Sequence, residues 1–144
     1  MKSWGRLLPA IPETWDEEFT WLGSRDPSPF LAVPQAIAWI QNIGLNNFRE
    51  RACWLASYTE GCLRDLFQTH PIGDRDSGWY GAMTHVPLPP GDWRGLQKQL
   101  WEQIGIEVMV IMFKERWYVR VSHHLYNNQV QINTFIKAIS RMTT

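Results

Sequence analysis

The chain of 144 residues has no apolar run approaching membrane-spanning length, so nothing in it reads as a transmembrane helix. It has no excess of either charge. Its 14 basic residues balance 14 acidic ones, which removes the electrostatic footprint expected of a nucleic-acid binder or of a protein drawn to an anionic membrane. Cysteine is scarce: Cys53 and Cys62 form no framework and point to a reducing, cytoplasmic setting. Their spacing places them on opposite sides of a helix, where they cannot bridge. The opening MKSWGRLLPAIPETW contains two prolines and no continuous apolar stretch, so it does not read as a secretory signal. Repeats and low-complexity tracts are lacking, and no glycine cluster forms a phosphate-cradling motif.

What the chain has in plenty is tryptophan, nine in all. Such a load fills a core or marks surface meant to be covered by other protein. The length suits one domain with a core of its own. Residues 1–27 carry no usable periodicity; Gly5, Pro9, Pro12, Gly23 and Pro27 interrupt them, and Trp4, Trp15, Phe19 and Trp21 are scattered along them. They read as an irregular connecting segment, either a strap across the domain's surface or a piece of a larger body. Residues 28–144 read as the domain proper.

Within it, Ala36, Ile37, Ile40 and Ile43 recur at helical spacing, with Asp26 or Ser28 as the cap, Pro34 as a kink or restart near Val33, and Gly44 as the stop. Asn46 is the expected cap of a long helix over about 47–68, buried through Phe48, Ala52, Leu55, Ala56, Leu63, Leu66 and Phe67 and weakened by Gly61. Residues 70–81 read as a loop and 82–86 as a short strand stopped by Pro87, Pro89 and Pro90. Asp92 is the expected cap of a helix carrying Trp93, Leu96, Leu100 and Ile104 and closed by Gly105. A hairpin follows. Ile106 to Phe113 alternate in a way that suits a strand covered on both faces, and Lys114-Glu115 form the turn. Trp117, Val119 and Val121 then share one face of the return strand, with Tyr118, Arg120 and Ser122 on the other. The last helix starts near Asn127 or Asn128 with Gln131 completing a capping box, and its inner stripe is Ile132, Phe135, Ile136, Ile139 and Met142. The sum is an α+β fold: an antiparallel sheet of about three strands with helices on one face.

Candidate chemistry is sparse. His123 and His124 point to opposite faces and have no further ligand at metal spacing. Cys53 and Cys62 in mid-helix suit small core residues better than nucleophiles. Glu17 and Glu18 lack a partner carboxylate. The run Trp21-Leu22-Gly23-Ser24-Arg25-Asp26 combines backbone amides, a hydroxyl and a fixed charge, and reads either as a plain turn or as a small anion site. Arg120, a fixed charge among β-branched and aromatic residues, either faces solvent or awaits an anion.

Taken in order, SWG, EFTWLGSRDPSPFLAVPQAIAWI, VPLPPGDW…LQKQLWEQIGIEV and YVRVSHHLYN resemble the C-terminal portion of class V aminotransferase-like, pyridoxal-phosphate-dependent enzymes, in the isopenicillin N epimerase-like branch. The W-x-G-[ST]-x-D-P-S and R-[IV]-S-x-x-x-Y-N stretches are the specific parts. The resemblance implies the small C-terminal domain of a fold-type I enzyme. It implies that Gly23 and Ser24 contact the cofactor phosphate, and that Arg120 binds a substrate carboxylate. It also exposes a gap. Such chemistry needs a Schiff-base lysine, and none of Lys2, Lys98, Lys114 and Lys137 matches its context. The expectation is therefore a domain that holds no cofactor covalently and has no catalytic residue of its own. Pyridoxal phosphate is implied only with a complementing large domain, encoded separately. The alternative is a non-catalytic interaction module that associates with itself. Either way the implied partner is protein, a second copy or a large domain, rather than nucleic acid, membrane or metal.

Overall fold

The computed structural model describes residues 26–70 and 81–143. The chain divides into two compact units between Trp39 and Ile40. The first contains, in its described part, helix α1 (Ser28–Leu31) and the opening of α2 (Val33–Ile43). Asp26 Oδ1 accepts the Ser28 hydroxyl at 2.6 Å and the Ser28 N–H at 2.9 Å. These bonds favour the charged form and hold the Asp26 carboxyl below its usual pKa, the hydroxyl contributing most. Ala32 separates the two helices, and α2 restarts at Val33. Pro34 is tolerated there because a first helical turn does not need its N–H. No residue of α1 or α2 is buried.

The second unit is an antiparallel sheet of three strands in the order β1-β3-β2, with β1 Met83–Pro87, β2 Met109–Phe113 and β3 Arg116–Ser122. Among the described residues three helices complete it: α3 (Leu45–Phe67), α4 (Leu96–Ile104) and α5 (Gln129–Thr143). This is the α+β arrangement expected. The core lies between sheet and helices, where Val86 and Val119 meet Leu63, Leu96, Leu100, Phe135 and Ile139. On the other side of the sheet, the side chains of β1, β2 and β3 are exposed or half-buried, Pro87 apart.

The helix ends depart from expectation in instructive ways. α3 begins directly after Gly44, whose φ of 91° only glycine adopts easily. Asn46 therefore sits inside the first turn and does not cap it, while Asn47 Nδ2 donates back to the Ile43 carbonyl at 3.0 Å. The buried side of α3 also includes Thr59 and Glu60, which apolar periodicity cannot mark. α4 starts at Leu96, later than Asp92 suggests. Asp92 Oδ1 accepts the Arg94 N–H at 3.2 Å and Trp93 Nε1 donates to the Pro89 carbonyl at 2.8 Å, so these residues form the approach to the helix. At its end, the Gly105 N–H donates to the Trp101 carbonyl and the Ile106 N–H to that of Leu100, with Gly105 at φ 69°. That is a Schellman termination. α5 opens on the expected reciprocal box: Gln131 N–H donates to Asn128 Oδ1 at 3.0 Å and Asn128 N–H to Gln131 Oε1 at 3.1 Å.

β2 is shorter and barer than expected. The strand order puts it at an edge, and its Met109, Met112 and Phe113 are exposed rather than covered. Its inward Val110 packs against the core, as do Ile106 and Val108 just before the ladder. The hairpin turn falls on Lys114 and Glu115 as expected, both in the left-handed region at φ 46° and 61°. Asn-Gly is the pair that suits this turn best.

Two substitutions in this unit should move stability in opposite directions. Nothing lies within 4 Å of a Cβ placed at either Gly61 or Gly105. Gly61→Ala, in mid-helix, should stabilise by about 0.5–1 kcal/mol. Gly105→Ala, forced to keep a positive φ, should cost about 1 kcal/mol. Urea unfolding of the two variants beside the parent measures both.

Candidate functional site

The site is built on β3, the central strand. Its pleat sends Trp117, Val119 and Val121 toward the helices and Tyr118, Arg120 and Ser122 to the opposite face. Register completes the row through Arg120: His85 of β1 stands opposite it on one side and Met109 of β2 on the other. Arg120 is half-buried. Among the described residues, no carboxylate or carbonyl accepts a hydrogen bond from its guanidinium. That is an uncommon state for so strong a donor.

Arg120 opens onto a concavity of about 460 Å³ whose polar wall is Gln97, Glu107, Ser122, Tyr126 and Asn127. Each comes from a defined element end. The Schellman turn at Gly105 brings the chain from α4 to Glu107. The loop between β3 and α5 brings Tyr126 and Asn127. In that loop the His124 N–H donates to Asn127 Oδ1 at 2.9 Å and the Asn127 N–H to the His124 carbonyl at 3.0 Å. Arg51 of α3 donates to the Asn127 carbonyl at 3.3 Å. The His124 ring stacks on Tyr126, centroids 4.4 Å apart, and meets the edge of Phe48 at 5.0 Å.

His123 does structural work beneath this loop. It is 4% exposed. Thr84 donates its single hydroxyl proton to the Ala56 carbonyl at 2.8 Å, so at 3.2 Å the Thr84 oxygen accepts from His123 Nε2. The imidazole is thus held as the Nε2–H tautomer, and burial pushes its pKa below the ordinary value. This chain of bonds ties α3, β1 and the end of β3 together. His123 and His124 therefore have roles in packing, and among the described residues no cluster of three His, Cys, Asp or Glu could hold a metal ion. Cys53 and Cys62 are half-buried along α3, away from the concavity.

Of the residues singled out in the sequence, Arg120 is thus at the centre of a polar concavity. Gly23 and Ser24 lie outside the described residues. His85 and Glu107 were not singled out. His85 carried no local signal, since its place beside Arg120 depends on the pairing of strands far apart in sequence.

No protein-family model matches the chain. Over 122 residues it is 35% identical to the isopenicillin N epimerase of Amycolatopsis lactamdurans, a stretch covering 84% of this chain and 31% of that protein. It is 28% identical to the isopenicillin N epimerase of Streptomyces clavuligerus over the same length and the same shares. Over most of its length this chain is similar to isopenicillin N epimerases. It spans 31% of the length of the curated epimerases it matches. No helix among the described residues is long and apolar enough to cross a membrane.

The buried His123 makes a prediction about acid stability. Its native pKa lies below the ordinary value, so on acidification the unfolded chain takes up a proton first. Stability is full above about pH 6.5, the unfolded value, and falls as pH drops from there toward the depressed native value. His123→Gln keeps a donor for Thr84 and should flatten this loss. Unfolding curves taken at several pH values between about 5 and 7 measure it.

Proposed function

We propose that this chain is the carboxylate-binding part of an isopenicillin N epimerase-like enzyme, a C-terminal domain that works with a separately encoded large domain. The observation that supports this most is Arg120: a half-buried guanidinium with no acceptor among the described residues, on the open face of a sheet, at a concavity of about 460 Å³. A guanidinium grips a carboxylate through two parallel N–H bonds. Ser122 and Asn127 offer further hydrogen bonds beside it. Glu107 gives the concavity both signs of charge, which suits a zwitterionic amino acid.

Pyridoxal phosphate, when bound, supplies the electron sink for chemistry at an amino acid's α-carbon. The described residues do not fit its covalent attachment. Lys98 is exposed, 3.7 Å from Glu102 on the same helix face. Lys114 lies over the Phe113 ring in the exposed hairpin turn. Lys137 is exposed on α5. None lines the Arg120 concavity. The chain alone is on this reading catalytically silent, and its contribution is to bind and orient the substrate's carboxylate.

A second reading rests on the same face. Met83, Met109 and Phe113 are 51%, 38% and 58% exposed on it, which suits self-association as an interaction module. Co-expression with a lysine-bearing large domain of an epimerase of this kind separates the two. Recovery of cofactor absorbance and of amino-acid racemisation, with the racemisation alone reduced about 100-fold or more by Arg120→Gln, supports the complementing domain. A stable homodimer that ignores the large domain supports the module. Incubation of the chain alone with pyridoxal phosphate and borohydride should give only scattered, sub-stoichiometric labelling of the exposed Lys98, Lys114 and Lys137 by mass spectrometry; a stoichiometric adduct on one of them would overturn catalytic silence.

A further inference from the structure

His85 stands directly opposite Arg120 across the β1–β3 ladder, on the sheet face away from the helices. Residues paired in this way have their Cβ atoms about 4.5–5.5 Å apart, and like charges so placed repel. A histidine beside a permanent guanidinium is an odd choice unless something negative comes between them. The surroundings supply nothing of that kind among the described residues. The other outward residues of β1 are Met83 and Pro87, and the diagonal neighbours on β3 are Tyr118 and Ser122. Glu107, which shares the concavity with Arg120, lies toward β2, and β1 and β2 flank β3 on opposite sides. α3 packs on β1 from the opposite face, where its ionisable Glu60 is buried.

We propose that His85 is a second oxyanion-positioning residue, closing as an imidazolium on a carboxylate held by Arg120. This rests on the reading of Arg120 as the anion site. An oxyanion between the two strands cancels the repulsion, gives both donors an acceptor, and makes the charged imidazole favourable. In the chain by itself, partial burial first and the Arg120 charge second hold His85 below its ordinary pKa. Filling the site therefore draws a proton onto His85. By linkage, the site binds oxyanions more tightly as pH falls through the range in which His85 titrates.

The test uses the whole chain and sulfate, which stays dianionic over the range needed. His85 is followed by NMR of its ring, assigned with His85→Gln, in sulfate and in chloride at matched ionic strength. Saturating sulfate should raise the His85 pKa by about 0.5–1 unit, and sulfate should bind several-fold more tightly near pH 5.5 than near pH 8. Arg120→Gln should raise the His85 pKa without sulfate and abolish the response to it. His85→Lys, with its charge fixed, should bind sulfate with little dependence on pH. Arg120-dependent sulfate binding that is equally tight at both pH values, with the His85 pKa unmoved, overturns the role of His85 and leaves Arg120 as the anion site. Sulfate binding that is absent, or indifferent to Arg120→Gln, overturns both.

Discussion

The placement of the site depends on the pleat of β3. Val119 and Arg120 are chain neighbours, yet one is fully buried in the core and the other opens onto the concavity. A slip of one residue in register would exchange them, driving a guanidinium into a core of leucine, valine and phenylalanine. Two devices hold the register. The hairpin turn at Lys114-Glu115 allows two residues and no more between Phe113 and Arg116, which pair. On the other side Thr84 pairs with Val121 and is pinned from below by its hydroxyl bond to the Ala56 carbonyl of α3. The buried His123 adds to that anchor immediately after the strand ends. Residues that never touch a ligand thus decide which way Arg120 points.

Around this fixed strand, helix ends bring up the rest of the wall. The left-handed Gly105 turns the chain from α4 toward β2 and so delivers Glu107. The Asn128–Gln131 box starts α5 immediately after Asn127 and fixes the loop that carries it. Capping of this kind contributes modestly to stability. Here its larger consequence is positional, because each cap lies within a few residues of a side chain lining the concavity.

The parts of this fold that are legible in the sequence are those set by local chemistry. The period of two in β3, the stop at Gly105, the restart before Pro34 and the box opening α5 each follow from residues within a few positions. What sequence misjudged was set elsewhere. Met109, Met112 and Phe113 look like members of a strand covered on both sides, yet they are exposed at a sheet edge. Apolar character records that a surface should be covered; it does not record by what. Asn46 and Asp92 are good capping residues, but Gly44 and Gly95 set where the helices begin. Thr59 is buried in a helix that periodicity would cover with apolar groups alone, because its hydroxyl bonds back to the Leu55 carbonyl at 2.8 Å. His85 was illegible for a further reason: its meaning arises only from pairing with a residue 35 positions along.

The open face of the sheet combines two features that make sense together. Apolar side chains, Met83, Met109 and Phe113, share this face with Arg120 and His85. Left in water, a guanidinium there binds a carboxylate weakly, because water screens the pair and competes for both partners. Covering the apolar rim with a second body would lower the local dielectric and strengthen the same contact without moving an atom of the chain. In the proposed assembly the apolar rim and the charged centre are therefore one device: the rim supplies the association energy, and the association gives Arg120 its grip. In that same proposed assembly the second body brings the Schiff-base lysine and this chain brings the arginine.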